Sequence, residues 1–134
     1  MGLATFKGGI HPYEGKELSE NKPIQVLLPK GELVFPMSQH IGAPAKPLVA
    51  KGDRVLAGQK IGEAAGFISA PVHSSVSGTV VAVEPRMHGT RGSEVMAVVI
   101  ESDGKNTLHE SVQPHKALDE LTPDEIIEIV KDAG

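Results

Sequence analysis

The chain has 134 residues with 15 Gly, 10 Pro, four Phe or Tyr rings and no cysteine, a length that suits one domain. The missing cysteines exclude disulfides, a thiolate nucleophile, a structural zinc of the usual kind and an all-cysteine iron–sulfur site. The formal charge of −4 comes without the clustered Lys and Arg or the aromatic platform that nucleic acid requires, so no nucleic-acid partner is expected.

Residues 1–23 read as an irregular arm, because Gly8-Gly9, Pro12, Gly15 and Pro23 break any periodicity. β-type runs begin at Ile24–Leu28 and continue at Leu33–Phe35, with Pro29-Lys30-Gly31-Glu32 as the turn between them. Further runs follow at Pro47–Ala50, Arg54–Leu56, Lys60–Ile61, Gly66–Ser69, Val76–Val83 and Glu94–Glu101. Turns are expected at Lys51-Gly52-Asp53, Ala57-Gly58-Gln59 and Gly89-Thr90-Arg91-Gly92. Strands this short at this turn density predict an all-β domain, a small barrel or sandwich, over residues 24–104. Within it, Ile41-Gly42-Ala43-Pro44 and Ile68-Ser69-Ala70-Pro71 share the pattern I-x-A-P at an offset of 27 residues. Two copies of one β unit could pair about a pseudo-two-fold axis; two such tetrapeptides also arise by chance.

Residues 105–134 read as an acidic tail. Three basic residues face eight acidic ones from Ser102 onward, whereas the preceding part carries ten against nine. The tail ends in a helix predicted at about 122–133. Thr122 is its N-cap, Pro123 its first residue, Glu125 completes a capping box, and Leu121 with Ile126 forms a hydrophobic staple. Ile126, Ile129, Val130 and Ala133 share one face. That face ends one residue before Gly134, which points to a part of a longer protein, cut at a domain boundary.

Few residues offer chemistry. His11, His40, His73, His88, His109 and His115 have no ligand-like spacing and read as surface or satisfied histidines. Ser74, Ser75 and Ser77 lie outside any nucleophile elbow and read as turn and strand residues. The stretch Arg86–Gly92 places three cations among glycines, but a solvated hairpin loop explains it better than an anion site. No catalytic, cofactor-binding or metal-ligating residue is assigned. The apolar run Val95–Ile100 is far too short to span a bilayer. Residues Met1–Lys7 lack a signal-peptide core, so direct membrane insertion is not expected.

The segment Val49–Glu63, V-A-K-G-D-R-V-L-A-G-Q-K-I-G-E, spaces Val49, Val55 and Ile61 six apart, so turns between them bring all three into one core. This segment resembles the biotinyl/lipoyl-attachment family, and Ala70-Pro71 with Ser77-Gly78-Thr79-Val80 resembles its return strand. The resemblance implies a flattened barrel of two interlocked halves, a barrel-sandwich hybrid. That family modifies a lysine on an exposed hairpin shortly after the Glu. Here the hairpin reads Glu63-Ala64-Ala65-Gly66-Phe67-Ile68, with Gly66 at the lysine's place. Without an amine no amide to a swinging arm forms, and carrier function is rejected.

Three further blocks are more specific: Phe6-Lys7-Gly8-Gly9-Ile10-His11-Pro12, Gln39-His40-Ile41-Gly42-Ala43-Pro44, and Val72 through Val80. Together they resemble the N-terminal domain of the C subunit of the Rnf (Rsx) ion-translocating electron transport complex. Tyr13 stands where that family usually has a second proline. The resemblance implies a parent protein with FMN, NADH and two 4Fe–4S clusters, none of them held by this part. It implies a complex on the cytoplasmic face of the bacterial inner membrane that couples electron transfer between NADH and ferredoxin to ion movement. The expected role is a structural or docking domain whose partners are the rest of its own polypeptide and the other Rnf subunits. The hairpin at Ala64–Phe67 and the arm at Gly8–Pro12 are the candidate contacts. The A subunit of the sodium-pumping NADH:quinone reductase and a free-standing biotinyl/lipoyl-like adaptor are the alternatives.

Overall fold

A computed structural model describes residues 12–89, 92–114 and 116–134. Among these residues seven strands appear in chain order: β1 (Glu32–Pro36), β2 (Lys46–Pro47), β3 (Arg54–Val55), β4 (Lys60–Glu63), β5 (Val72–His73), β6 (Gly78–His88) and β7 (Ser93–Ser102). One α-helix follows, α1 (Pro123–Ala133), preceded by a short 3-10 turn at Leu118–Glu120. The strands form two antiparallel sheets, ordered β1-β7-β6-β3 and β2-β4-β5. This is the all-β architecture expected from the turn density and the barrel-sandwich hybrid that the family resemblance implied, with one short C-terminal helix.

The long hairpin β6–β7 is the spine of the larger sheet, pairing Gly78 with Ser102 at one end and His88 with Ser93 at the other. A bulge between Val80 and Ala82 lets it bend over the core. The core joins both sheets: Phe35, Val55, Val80, Val98 and Ile100 from the larger, Ile61 and Val72 from the smaller, with Met37 and Ala45 between them. Val55 and Ile61 are fully buried and Val49 packs against the same cluster, so the six-residue spacing delivers all three to one core. Burial of each such side chain contributes roughly 1.5–3 kcal/mol. Backbone bonds from Met37 N–H to the Met96 carbonyl (2.8 Å) and from Ala45 N–H to the Met37 carbonyl (2.8 Å) lead the polypeptide from one sheet to the other.

Several strand expectations need correction. Ile24–Leu28 forms no ladder among the described residues, and Ile24, Val26 and Leu27 are almost wholly exposed. Pro23 and Pro29 hold its ends extended, and β propensity without a partner strand makes no sheet. The run expected at Gly66–Ser69 forms no strand; its first three residues, Gly66–Ile68, are a bend. The strand expected at Pro47–Ala50 lies at Lys46–Pro47, continued by a Leu48 N–H bond to the Ile61 carbonyl at 2.9 Å. β6 begins two residues later than expected and runs on through Arg86, Met87 and His88, so the loop assigned to Arg86–Gly92 shrinks to its glycine end. The pairing of Arg86 with Val95 and of His88 with Ser93 decides this, since one antiparallel register extends from the Ala82–Val99 pair to the end of the hairpin. Thr90 and Arg91 lie outside the described residues. β5 has no counterpart among the expected runs, because two residues give too little alternation to read.

The helix follows its sequence signals closely. The Thr122 hydroxyl accepts from the Glu125 N–H at 3.3 Å and the Glu125 carboxylate accepts from the Thr122 N–H at 2.8 Å, which completes the capping box. The tail before it is pinned to the barrel: Ala57 N–H donates to the Thr107 carbonyl (2.9 Å) and His109 N–H to the Ala57 carbonyl (2.8 Å). No helix among the described residues is long and apolar enough to cross a membrane.

Candidate docking site

The hairpin after Glu63 leaves β4, makes a bend at Gly66–Ile68 and returns as β5. Its geometry is held by a set of bonds to the segment Gln39–Pro44. Ala65 N–H donates to the Ser69 hydroxyl at 3.0 Å, and that hydroxyl donates onward to the Ala43 carbonyl at 2.8 Å. Ala43 N–H donates to the Ile68 carbonyl at 2.9 Å. Ala70 N–H donates to Nε2 of His40 at 3.2 Å, and the opposite ring nitrogen, Nδ1, lies 2.9 Å from the Ile41 carbonyl. These two contacts define a His40 that carries its proton on Nδ1. The two I-x-A-P tetrapeptides therefore lie side by side.

The consequence is a stiff loop with an apolar tip. Phe67 is fully exposed, Ile41 81% and Ile68 57% exposed, on a loop tied down at Ala65, Ile68, Ser69 and Ala70. Gly66, at the place of a carrier lysine, offers no nucleophile. The nearest amine, on Lys60 in β4, is occupied: it bonds the Asp132 carboxylate from the last turn of α1 and lies 3.8 Å from Glu63. The hydrogen bond it donates to Asp132 holds the Lys60 ammonium above its ordinary range, against a smaller opposing effect of burial. The same bond holds Asp132 below the usual carboxylate range. An ammonium so held is a poor nucleophile.

Helix α1 ends beside this loop. Lys60, Glu63, Phe67, Pro71, Lys131 and Gly134 line one open cleft. No residue of α1 is buried, and Val130 remains 65% exposed, so the amphipathic face read from the sequence is only partly covered. Leu121 and Ile126, the two staple residues, line a shallow apolar groove together with Leu118 and Ile129.

The other candidates resolve into structural parts. Ser74 and Ser77 are buried, with the Ser74 hydroxyl donating to the Val76 carbonyl at 2.7 Å and the Ser77 hydroxyl to Asp103 at 2.7 Å. Lys105 N–H also donates to Asp103 at 2.9 Å, and Arg54 closes an ion pair with it. The Ser77 hydroxyl first, then the Lys105 N–H, hold the Asp103 carboxyl below its usual range. His109 bonds the Ser111 hydroxyl at 2.8 Å. His73 stands opposite Lys60 in the β4–β5 register, and Arg86 pairs with Glu84 at 2.7 Å. His11, His115 and the Gly8–Ile10 portion of the arm lie outside the described residues. Sequence reasoning misses His40, Ser69 and Asp103 as organising residues. The I-x-A-P pair is the one signal that points towards the first two.

An iron–sulfur cluster does not fit these residues. The chain has no thiol, and no three His, Asp or Glu side chains among the described residues come together as a donor set.

Comparison with known proteins places this geometry. The RnfC barrel sandwich hybrid domain matches residues 4–105. The C subunit of a Na(+)-translocating ferredoxin:NAD(+) oxidoreductase complex from Acetobacterium woodii is 49% identical over 130 residues, covering 97% of this chain and 29% of the relative. The C subunit of a proton-translocating ferredoxin:NAD(+) oxidoreductase complex from Clostridium ljungdahlii is 39% identical over 132 residues, 98% of this chain and 29% of the relative. The C subunit of an ion-translocating oxidoreductase complex from Vibrio cholerae is 37% identical over 133 residues, 98% of this chain and 17% of the relative. The chain thus spans less than a third of the length of these relatives. On its fold, its hairpin and these matches, the chain belongs to the RnfC barrel sandwich hybrid domain family.

Proposed function

We propose that this chain is a non-catalytic docking domain of the RnfC subunit in an Rnf-type complex, which couples electron transfer between NADH and ferredoxin to ion movement. The observation that carries this reading is the hairpin: a carrier-type barrel whose tip has Gly66 at the place of a modifiable amine and exposes Phe67 beside it. An apolar tip of this kind binds surfaces, not activated groups. The names of the relatives support RnfC over the quinone-reductase subunit and the free-standing adaptor.

On this reading FMN, NADH and two 4Fe–4S clusters belong to the parent protein outside these residues. The domain sits peripherally at the cytoplasmic face of the bacterial inner membrane, held there by its own polypeptide and the other Rnf subunits. Residues 1–23 serve as an arm, 24–104 as the barrel, and 105–134 as a tail that carries α1.

Removal of residues 1–134 from RnfC in an Rnf-bearing bacterium tests the reading. The shortened RnfC is expected to oxidise NADH with an artificial acceptor, yet to be lost from the purified membrane complex. Co-purification at the wild-type level would overturn the docking role. Expression of the 134-residue chain beside biotin and lipoyl ligases is expected to leave its intact mass unchanged; an added biotinyl or lipoyl group would restore the adaptor alternative.

A further inference from the structure

The end of the barrel that bears Ile41, Phe67 and Ile68 is apolar, exposed and stiff at once. The bonds from Ser69, Ala43 and His40 tie the backbone on either side of Phe67, so less backbone ordering is left to lose when the patch is covered. The polypeptide also arrives at this end. Gly134 caps α1 with φ of +92°, and a Cβ there would stand 2.7 Å from the Pro71 carbonyl oxygen. The backbone therefore crosses the second I-x-A-P segment at contact distance, in the cleft that Phe67 also lines.

We propose that the Ile41–Phe67–Ile68 face seats the polypeptide that follows α1 in full-length RnfC, a domain of the same polypeptide and not another member of the complex. The inference rests on the reading of this chain as the N-terminal domain of RnfC. Relatives that match nearly all of this chain are more than three times its length, because it covers only 29% of each of the first two. Whatever follows position 134 begins at the cleft, next to Phe67. Such a tethered segment meets the patch at an effective concentration in the millimolar range, so a modest apolar contact suffices to hold it. The rim favours apolar contact over ionic attraction. Lys60 is paired with Asp132 and Lys131 with Glu128, so the cationic groups at the cleft are already neutralised.

Hydroxyl-radical footprinting with peptide mass spectrometry tests this on three samples: the 134-residue chain, full-length RnfC by itself, and the assembled complex. Met87, exposed at the far hairpin, is the internal reference. Oxidation of Phe67 relative to Met87 is expected to fall at least five-fold from the 134-residue chain to isolated full-length RnfC. Protection that appears only in the assembled complex would overturn the inference, since another member of the complex would then be the occupant, while the docking role would stand. Protection in neither sample would overturn it as well. Failure of the docking role itself is read separately, from co-purification of the RnfC that lacks residues 1–134.

Discussion

The backbone N–H of Ala70 donates to Nε2 of His40 at 3.2 Å, across 30 positions of sequence. Through this bond the second I-x-A-P segment hangs on the residue just before the first. His40→Ala removes the acceptor and leaves a part-buried N–H unsatisfied, a loss of about 1–2 kcal/mol. Urea unfolding should show a lower midpoint at unchanged slope, and hydrogen exchange should quicken at 64–70 while β6–β7 stays protected. Unchanged exchange in the loop would show that His40 does not hold it.

Gly42 has φ of +91°, and a Cβ there would stand 2.1 Å from the Ile68 carbonyl oxygen. Gly42→Ala therefore combines backbone strain with a clash against backbone that cannot rotate away. The expected destabilisation is about 2–3 kcal/mol, larger than for His40→Ala, together with loss of the Ala43–Ile68 bond. Thermal unfolding of the two variants side by side checks the order; equal or reversed losses would contradict the close approach of the two segments.

Asp103 carries an acid dependence whose sign follows from its bonds. The Ser77 hydroxyl, the Lys105 N–H and Arg54 depress its pKa in the folded state. A depressed carboxylate stabilises the fold above its unfolded pKa of about 3.9, and that contribution disappears as pH falls through the lower folded value. Asp103→Asn should therefore lose less stability than the wild type between about pH 5 and about pH 2.5. Urea midpoints that fall in parallel for both proteins would exclude Asp103 as an acid-sensitive tie.

Lys60 and Asp132 fasten the last turn of α1 to β4 between the ordinary carboxylate and ammonium ranges. Asp132 is depressed, so its share is present above about pH 4 and is lost below; Lys60 is raised, so its share is present below about pH 10.5 and is lost above. The pair is largely solvent-facing on the Asp132 side, which limits it to about 0–1 kcal/mol. Lys60→Met should leave the melting of the barrel nearly unchanged, yet speed amide exchange at 129–133 several-fold. The same acceleration should appear in the wild type at molar salt. Slow exchange in both cases would mean that apolar contact alone holds the helix end.

Sequence signals are legible where the physics is local. Thr122, Pro123 and Glu125 announce the start of α1 because a capping box closes within four residues. Val49, Val55 and Ile61 announce the core because glycine turns recur between them. Ile24–Leu28 carries the same β-forming residues as β7 and forms no strand, because propensity says nothing about whether a partner edge is within reach. Arg86 and His88 resemble loop cations because glycines follow them, whereas the β6–β7 ladder holds them in register as far as its last pair.

The sequence by itself determined the all-β class, the capped helix, the family resemblance and the missing amine at Gly66, since each depends on residue type and short spacing. Tertiary structure alone decided what those parts surround. The Ala70–His40, Ser77–Asp103 and Lys60–Asp132 contacts span 30, 26 and 72 positions. Their partners meet only after both sheets have closed on one core, and no hydrophobic period or turn signal encodes which distant groups that closure brings within a hydrogen bond.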